Sequence, residues 1–102
     1  MPLIVGTLQA ARMVLESGLA VQLRPKGHSM EPKIKSGALV TLEPLGALEL
    51  SKGSIVLAKV NGQLYLHLIS AFKHGRAQIS NNKGHVNGWA SKVFGVVVRV
   101  EP

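Results

Sequence analysis

From residue 19 to residue 100 the chain is a succession of short apolar stretches, each closed by glycine, asparagine or proline. In "LAVQLRP" (19–25), Leu19, Val21 and Leu23 alternate with Ala20, Gln22 and Arg24. A period of two is that of a half-buried strand, and it leaves no apolar stripe for a helix to bury. Residues 38–45 alternate in the same way, and "SIVLAKV" (54–60) is a denser apolar run. "QLYLHLIS" (63–70) follows Asn61-Gly62, a strong hairpin signal. "RAQIS" (76–80) follows a turn at His74-Gly75, and "KVFGVVVRV" (92–100) closes the chain, with Gly95 as a bulge or close-approach point. Residues 81–91, rich in Asn and Gly, are expected to form a loop.

Only the first residues break this rhythm. Ile4, Leu8, Ala11 and Leu15 recur at three-to-four spacing, which predicts a helix over about 3–17 with Gly18 as its stop. Thr7 would instead cap a shorter helix beginning one turn later. The expected architecture is mainly β: one small domain over 1–102, a helix over about 3–17 and a β domain over about 19–100.

Lys and Arg total 12 against 5 acidic residues, a formal charge of +7. That excess suits an acidic partner, an anionic surface or nucleic acid. The cations are scattered, however, and the chain has only four aromatic residues, which weakens the nucleic-acid reading. There is no cysteine, which excludes disulfides and thiolate chemistry. Histidines without Cys or Asp partners make no metal constellation, so no cofactor is expected. No apolar run reaches the length of a membrane span, and the first residues lack the basic start of a secretory leader. A cytoplasmic location without a membrane anchor is therefore expected.

Two residues stand out for chemistry. Ser29 lies in "GHSMEP" (27–32), where Gly27 and Pro32 suit a turn that leaves backbone N–H groups free. A serine hydroxyl needs an adjacent base before it can act as a nucleophile, and on spacing alone a serine in a Gly/Pro turn is usually structural. His28 is adjacent but would point to the opposite face. His74 and His85 lie in turn or loop segments. His67 sits inside an apolar strand, on the face shared with Tyr65 and Ile69, where a leucine would be unremarkable. Partial desolvation favours the neutral imidazole, the form a base requires.

"GHSMEPKIKSGALVTLEPL", "LSKGSIVLAKV", "LYLHLIS", "ISNNKGHVNGW" and "VFGVVVRV", taken in order, resemble the LexA/signal peptidase superfamily of serine peptidases over about residues 18–100. The resemblance implies a coiled, partly barrel-like antiparallel sheet. It implies Ser29 as nucleophile and His67 as general base, with Gly27 and Met30 supporting the turn and oxyanion site. Many relatives carry lysine in a Tyr-x-Lys-Arg strand. Here the strand reads Tyr65-Leu66-His67-Leu68, which is similar to the Ser/His, signal-peptidase-like branch. Lys59 and Lys73, the alternative bases, do not match the family position. The resemblance also implies a peptide or protein substrate bound at a sheet edge, for which residues 19–27 are the expected strand.

The sequence departs from the family pattern where aspartates are usual. The Gly-Asp pairs are Gly37-Ala38 and Gly53-Ser54, and all five acidic residues are glutamates. The stretch that usually orients the histidine through an Asp reads Ile79-Ser80-Asn81-Asn82, which makes Ser80, Asn81 or Asn82 the expected orienter. A neutral partner stabilises an imidazolium less than a carboxylate does, so a slow peptidase or one with a narrow substrate range is expected. The alternatives are a weak or inactive member of the fold that serves as an interaction module, and, less favoured, a nucleic-acid binder.

Overall fold

The computed structural model describes residues 2–46 and 50–102. Its elements in chain order are β1 (Leu3–Val5), α1 (Leu8–Glu16), β2 (Val21–Leu23), β3 (Leu39–Pro44), β4 (Ile55–Val60), β5 (Gln63–Lys73), β6 (Arg76–Ser80), β7 (Val86–Trp89) and β8 (Lys92–Glu101). The strands form one sheet in the order β1-β2-β3-β8-β4-β5-β6-β7. Every pairing is antiparallel except β1 with β2, which is parallel.

The amino terminus corrects the expected helix over 3–17. Leu3-Ile4-Val5 pairs with Val21–Leu23 as a strand, in keeping with its two β-branched residues. The helix begins after Gly6, where Thr7 adopts extended backbone and its Oγ1 accepts from Ala10 N–H at 3.0 Å. The shorter, Thr7-capped helix is therefore the one that forms. It ends at Gly18, whose φ of +89° is costly for any residue with a Cβ.

The dense apolar run of β4 is explained by burial on both faces. Leu57 enters a core with Ala11, Leu15, Val21, Leu23, Val40 and Leu42 beneath α1. Val56, Ala58 and Val60 enter a second core with Ile69, Ala77, Ile79 and Ala90. Around this second core the sheet curls back on itself: Ser91 N–H, just after β7, donates to Lys59 O of β4 at 2.8 Å.

The segment expected to be a loop over 81–91 thus contains a strand, β7. Its Gly88 lies where a Cβ would come within 2.9 Å of Val60 Cγ1, so the glycine that reads as a loop signal is a close-packing residue.

Gly95 is a close-approach point, as its place in β8 suggests. A Cβ there would sit 2.6 Å from Glu43 O and 2.9 Å from both Leu15 methyls. Two of these contacts are with a buried core side chain and one is with backbone, so little can yield. Gly95→Ala is expected to destabilise the protein by about 3 kcal/mol, the upper end for overpacking, read as a fall in the urea midpoint with unchanged m-value.

Candidate functional site

Ser29 is carried by the connection between β2 and β3, and His67 by the middle of β5. Met30 and Ile34, which follow the serine, are buried in the core beneath α1 and anchor the connection there. Gly27 adopts φ +106°, and its N–H donates to Ser36 Oγ at 3.1 Å. Gly37 N–H closes the base of the segment on Pro25 O at 2.8 Å. With its ends held, the segment brings Ser29 Oγ to 3.2 Å from His67 Nε2, across a separation of 38 residues.

The other imidazole nitrogen, Nδ1, lies 2.7 Å from Asn87 Oδ1. An amide oxygen only accepts, so this contact places a proton on Nδ1, and in the neutral ring the Nε2 lone pair then faces the serine hydroxyl. That is the tautomer a base needs. The Tyr65 ring stacks on the imidazole with centroids 5.4 Å apart, which limits ring rotation.

Asn87, and none of the expected Ser80, Asn81 or Asn82, is the hydrogen-bond partner of Nδ1. Ser80 Oγ is bonded to Ser70 Oγ at 2.6 Å. Asn81 Oδ1 accepts from Lys83 and His85 N–H, both at 2.9 Å. Asn82 donates to the serine segment. None of the three bonds to His67 among the described residues. The cause is a β-bulge. Ile79 pairs with Gly88 and Ser80 with Val86, which leaves Asn87 as the extra residue of β7. Bulges re-aim a side chain, and this one carries the amide of Asn87 to His67. The signal in the sequence is the Asn87-Gly88 pair, which local pattern reads as a turn.

A cleft of about 360 Å³ opens beside the pair. Leu8, Leu23, Met30, Ile34 and Leu66 supply its apolar wall, with Lys26 at the side that leads into Ser29. Met30, 5 % exposed, belongs both to the core and to the cleft. His28 turns away and meets Glu31 Oε1 at 2.8 Å. Lys59 and Lys73 do not line the cleft.

The strand edge available to a peptide also differs from expectation. Over Val21–Leu23 both sides of β2 are occupied, by β1 and by β3. On β5, residues 63–67 pair with β4 on one side, while β6 begins pairing only at Leu68. The opposite edge of 63–67 is therefore unpaired among the described residues, and Leu64–His67 line the cleft.

Among the described residues there is no group of three or more His, Cys, Asp or Glu side chains able to hold a metal ion. No helix among them is long and apolar enough to cross a membrane.

A curled β domain in which a serine on a connecting turn faces a histidine on a strand is the architecture of a peptidase-like fold. The family profile described as Peptidase S24-like matches residues 4–98, and the chain belongs to that family. This places it in the LexA/signal-peptidase-like superfamily that the ordered motifs resemble. No curated protein matches the chain.

Proposed function

We propose that the protein is a serine endopeptidase with Ser29 as nucleophile, His67 as general base and Asn87 as the residue that orients the imidazole. The observation that carries this reading is the continuous line from Ser29 Oγ through His67 to Asn87 Oδ1, at 3.2 and 2.7 Å. The substrate is an extended peptide that pairs with the open edge of β5 and places one apolar side chain in the cleft. Ser29 O–H gives its proton to Nε2 as its oxygen bonds to the scissile carbonyl carbon. The oxyanion is received by the backbone N–H groups of Ser29 and Met30, which find no acceptor among the described residues. The imidazolium then protonates the departing amine. A water, deprotonated by the same nitrogen, releases the acyl group from Ser29. Asn87 offers the imidazolium a dipole where a carboxylate would offer a full charge, so turnover is slow.

The test is labelling by a fluorophosphonate probe, with the modified residue mapped by mass spectrometry. Ser29 is expected to label faster than any other serine, and Ser29→Ala to lose that label while melting within a few degrees of the parent. Labelling of Ser29 at the rate of an ordinary surface serine would sink the proposal.

A second reading is favoured by the open β5 edge, which could bind a peptide with no chemistry at all. In that case peptide affinity persists in Ser29→Ala and no cleavage product appears with the parent. The formal charge of +7 adds an acidic partner or nucleic acid to the ligands worth screening, and either would dissociate steeply with added salt.

A further inference from the structure

We infer that Asn82 is a positioning residue for the nucleophile, holding the Ser29 segment in register with the strands that carry His67 and Asn87; this rests on the reading of Ser29 as the nucleophile. Asn82 follows the end of β6 and makes two bonds across to the serine segment. Its backbone N–H donates to Ser29 O at 2.8 Å, and its side-chain Nδ2 donates to Glu31 O at 2.9 Å. The two accepting carbonyls bracket Met30.

The first bond has a directional consequence. A trans peptide is planar, and its C=O and N–H point in opposite directions. Tethering Ser29 C=O to Asn82 therefore turns Met30 N–H away from Asn82. His28 C=O accepts from Glu31 N–H at 3.2 Å, and the same rule turns Ser29 N–H away from that contact. Two successive N–H groups beside the nucleophile are thus held by bonds on the far side of their own peptide planes. Oxyanion donors need this kind of preorganisation, because reorientation during the reaction would cost part of what they supply.

Asn82 also links the two halves of the site. The other hydrogen bonds to the segment's backbone are local, among them Gly27 to Ser36, Gly37 to Pro25, and Arg24 Nη1 to Gly37 O at 2.9 Å. Asn82 reaches it from the turn between β6 and β7. Ser80, two residues earlier, pairs with Leu68, the neighbour of His67. The turn that carries Asn82 is stiffened by Asn81, whose N–H donates to His85 O at 2.9 Å and whose Oδ1 accepts two backbone N–H groups. A short path of paired backbone therefore runs from His67 through β6 to the carbonyl of the nucleophile itself. The Ser29–His67 separation depends on it.

The experiment compares Asn82→Asp, which keeps the shape and the backbone bond but removes the side-chain donor to Glu31 O, with Asn82→Pro, which also removes the backbone donor to Ser29 O. Fluorophosphonate labelling of Ser29 is measured together with thermal melting, amide exchange at Met30 and the affinity of a non-cleavable peptide for the cleft. Both variants are expected to label roughly 10- to 100-fold more slowly, the cost of a misplacement near 1 Å. Met30 exchange should quicken, while peptide affinity stays within twofold and the fold is retained. Labelling within twofold of the parent in either folded variant overturns the inference, as does a loss in which labelling, peptide affinity and melting temperature fall together. If the parent itself fails to label at Ser29, the peptidase reading fails and this one with it. If the parent labels and the variants match it, only the role of Asn82 fails.

Discussion

His67→Ala is expected to slow acylation of Ser29 by roughly 10²- to 10⁴-fold, the range that a positioned general base contributes. The expectation rests on geometry. His67 Nε2 is the hydrogen-bond partner of Ser29 Oγ at 3.2 Å, and Lys59 and Lys73, the other candidate bases, lie outside the cleft lining. Without the imidazole the proton has only water to go to, and the attacking oxygen remains a neutral hydroxyl. The stability cost should be small, because His67 is half-buried and belongs to neither core. Its loss also leaves Asn87 Oδ1 without its Nδ1–H partner, a penalty that nearby solvent can offset. Measured as the fluorophosphonate labelling rate beside a melting curve, the expected pattern is a large kinetic loss with a small thermal shift. A large thermal loss with unchanged labelling would assign His67 to structure.

Asn87→Asp is expected to act in the opposite direction and raise turnover roughly 10- to 100-fold. In serine peptidases with a full triad, replacing the carboxylate by an amide costs about 10⁴ in turnover, a loss that includes the wrong imidazole tautomer. Here the amide oxygen already faces Nδ1–H at 2.7 Å, so the tautomer is correct in the parent. Only the charge contribution remains to be gained, and the increase is therefore smaller than that full factor. The carboxylate occupies the shape of the amide and needs no new backbone path, since the bulge in β7 already aims the side chain. Cleavage of a peptide substrate, or hydrolysis of the acyl group placed on Ser29 by an activated ester, reads the effect. No gain, with the fold and the Ser29–His67 contact intact, would show that Asn87 does not govern the imidazolium. Asn87→Ala should lie below the parent, because the ring loses the partner that sets its tautomer.

Several features of this molecule are legible along the chain. The alternation through Val21 and Leu23, the Asn61-Gly62 hairpin and the run ending at Val100 all describe strands, the last of them lying inside the sheet between β3 and β4. Ser29 and His67 were recognisable as a pair through the ordered motifs, and His67 also through a polar ring in a leucine-like place. Local pattern misjudged two short elements. Leu3–Val5 carries helical spacing into Leu8, yet it becomes a strand because Val21–Leu23 offers it an edge. Val86–Trp89 has the composition of a loop, yet it becomes a strand because Gly88 fits against Val60.

The sequence by itself determined the strand-rich architecture, through local periodicity, and pointed to the facing serine and histidine through the resemblance of the ordered motifs; it offered the Thr7 cap only as the alternative to a longer helix. Tertiary structure alone decided which residue holds the far side of the imidazole and which edge of the sheet stays open. Asn87 reaches His67 because a bulge shifts β7 by one residue against β6, and a one-residue shift changes the face to which a side chain points. The open edge lies on β5 because β6 takes up pairing only beyond His67, while β1 covers the edge of β2. Registers of this kind are set by contacts between distant segments, and no short stretch of the chain encodes them.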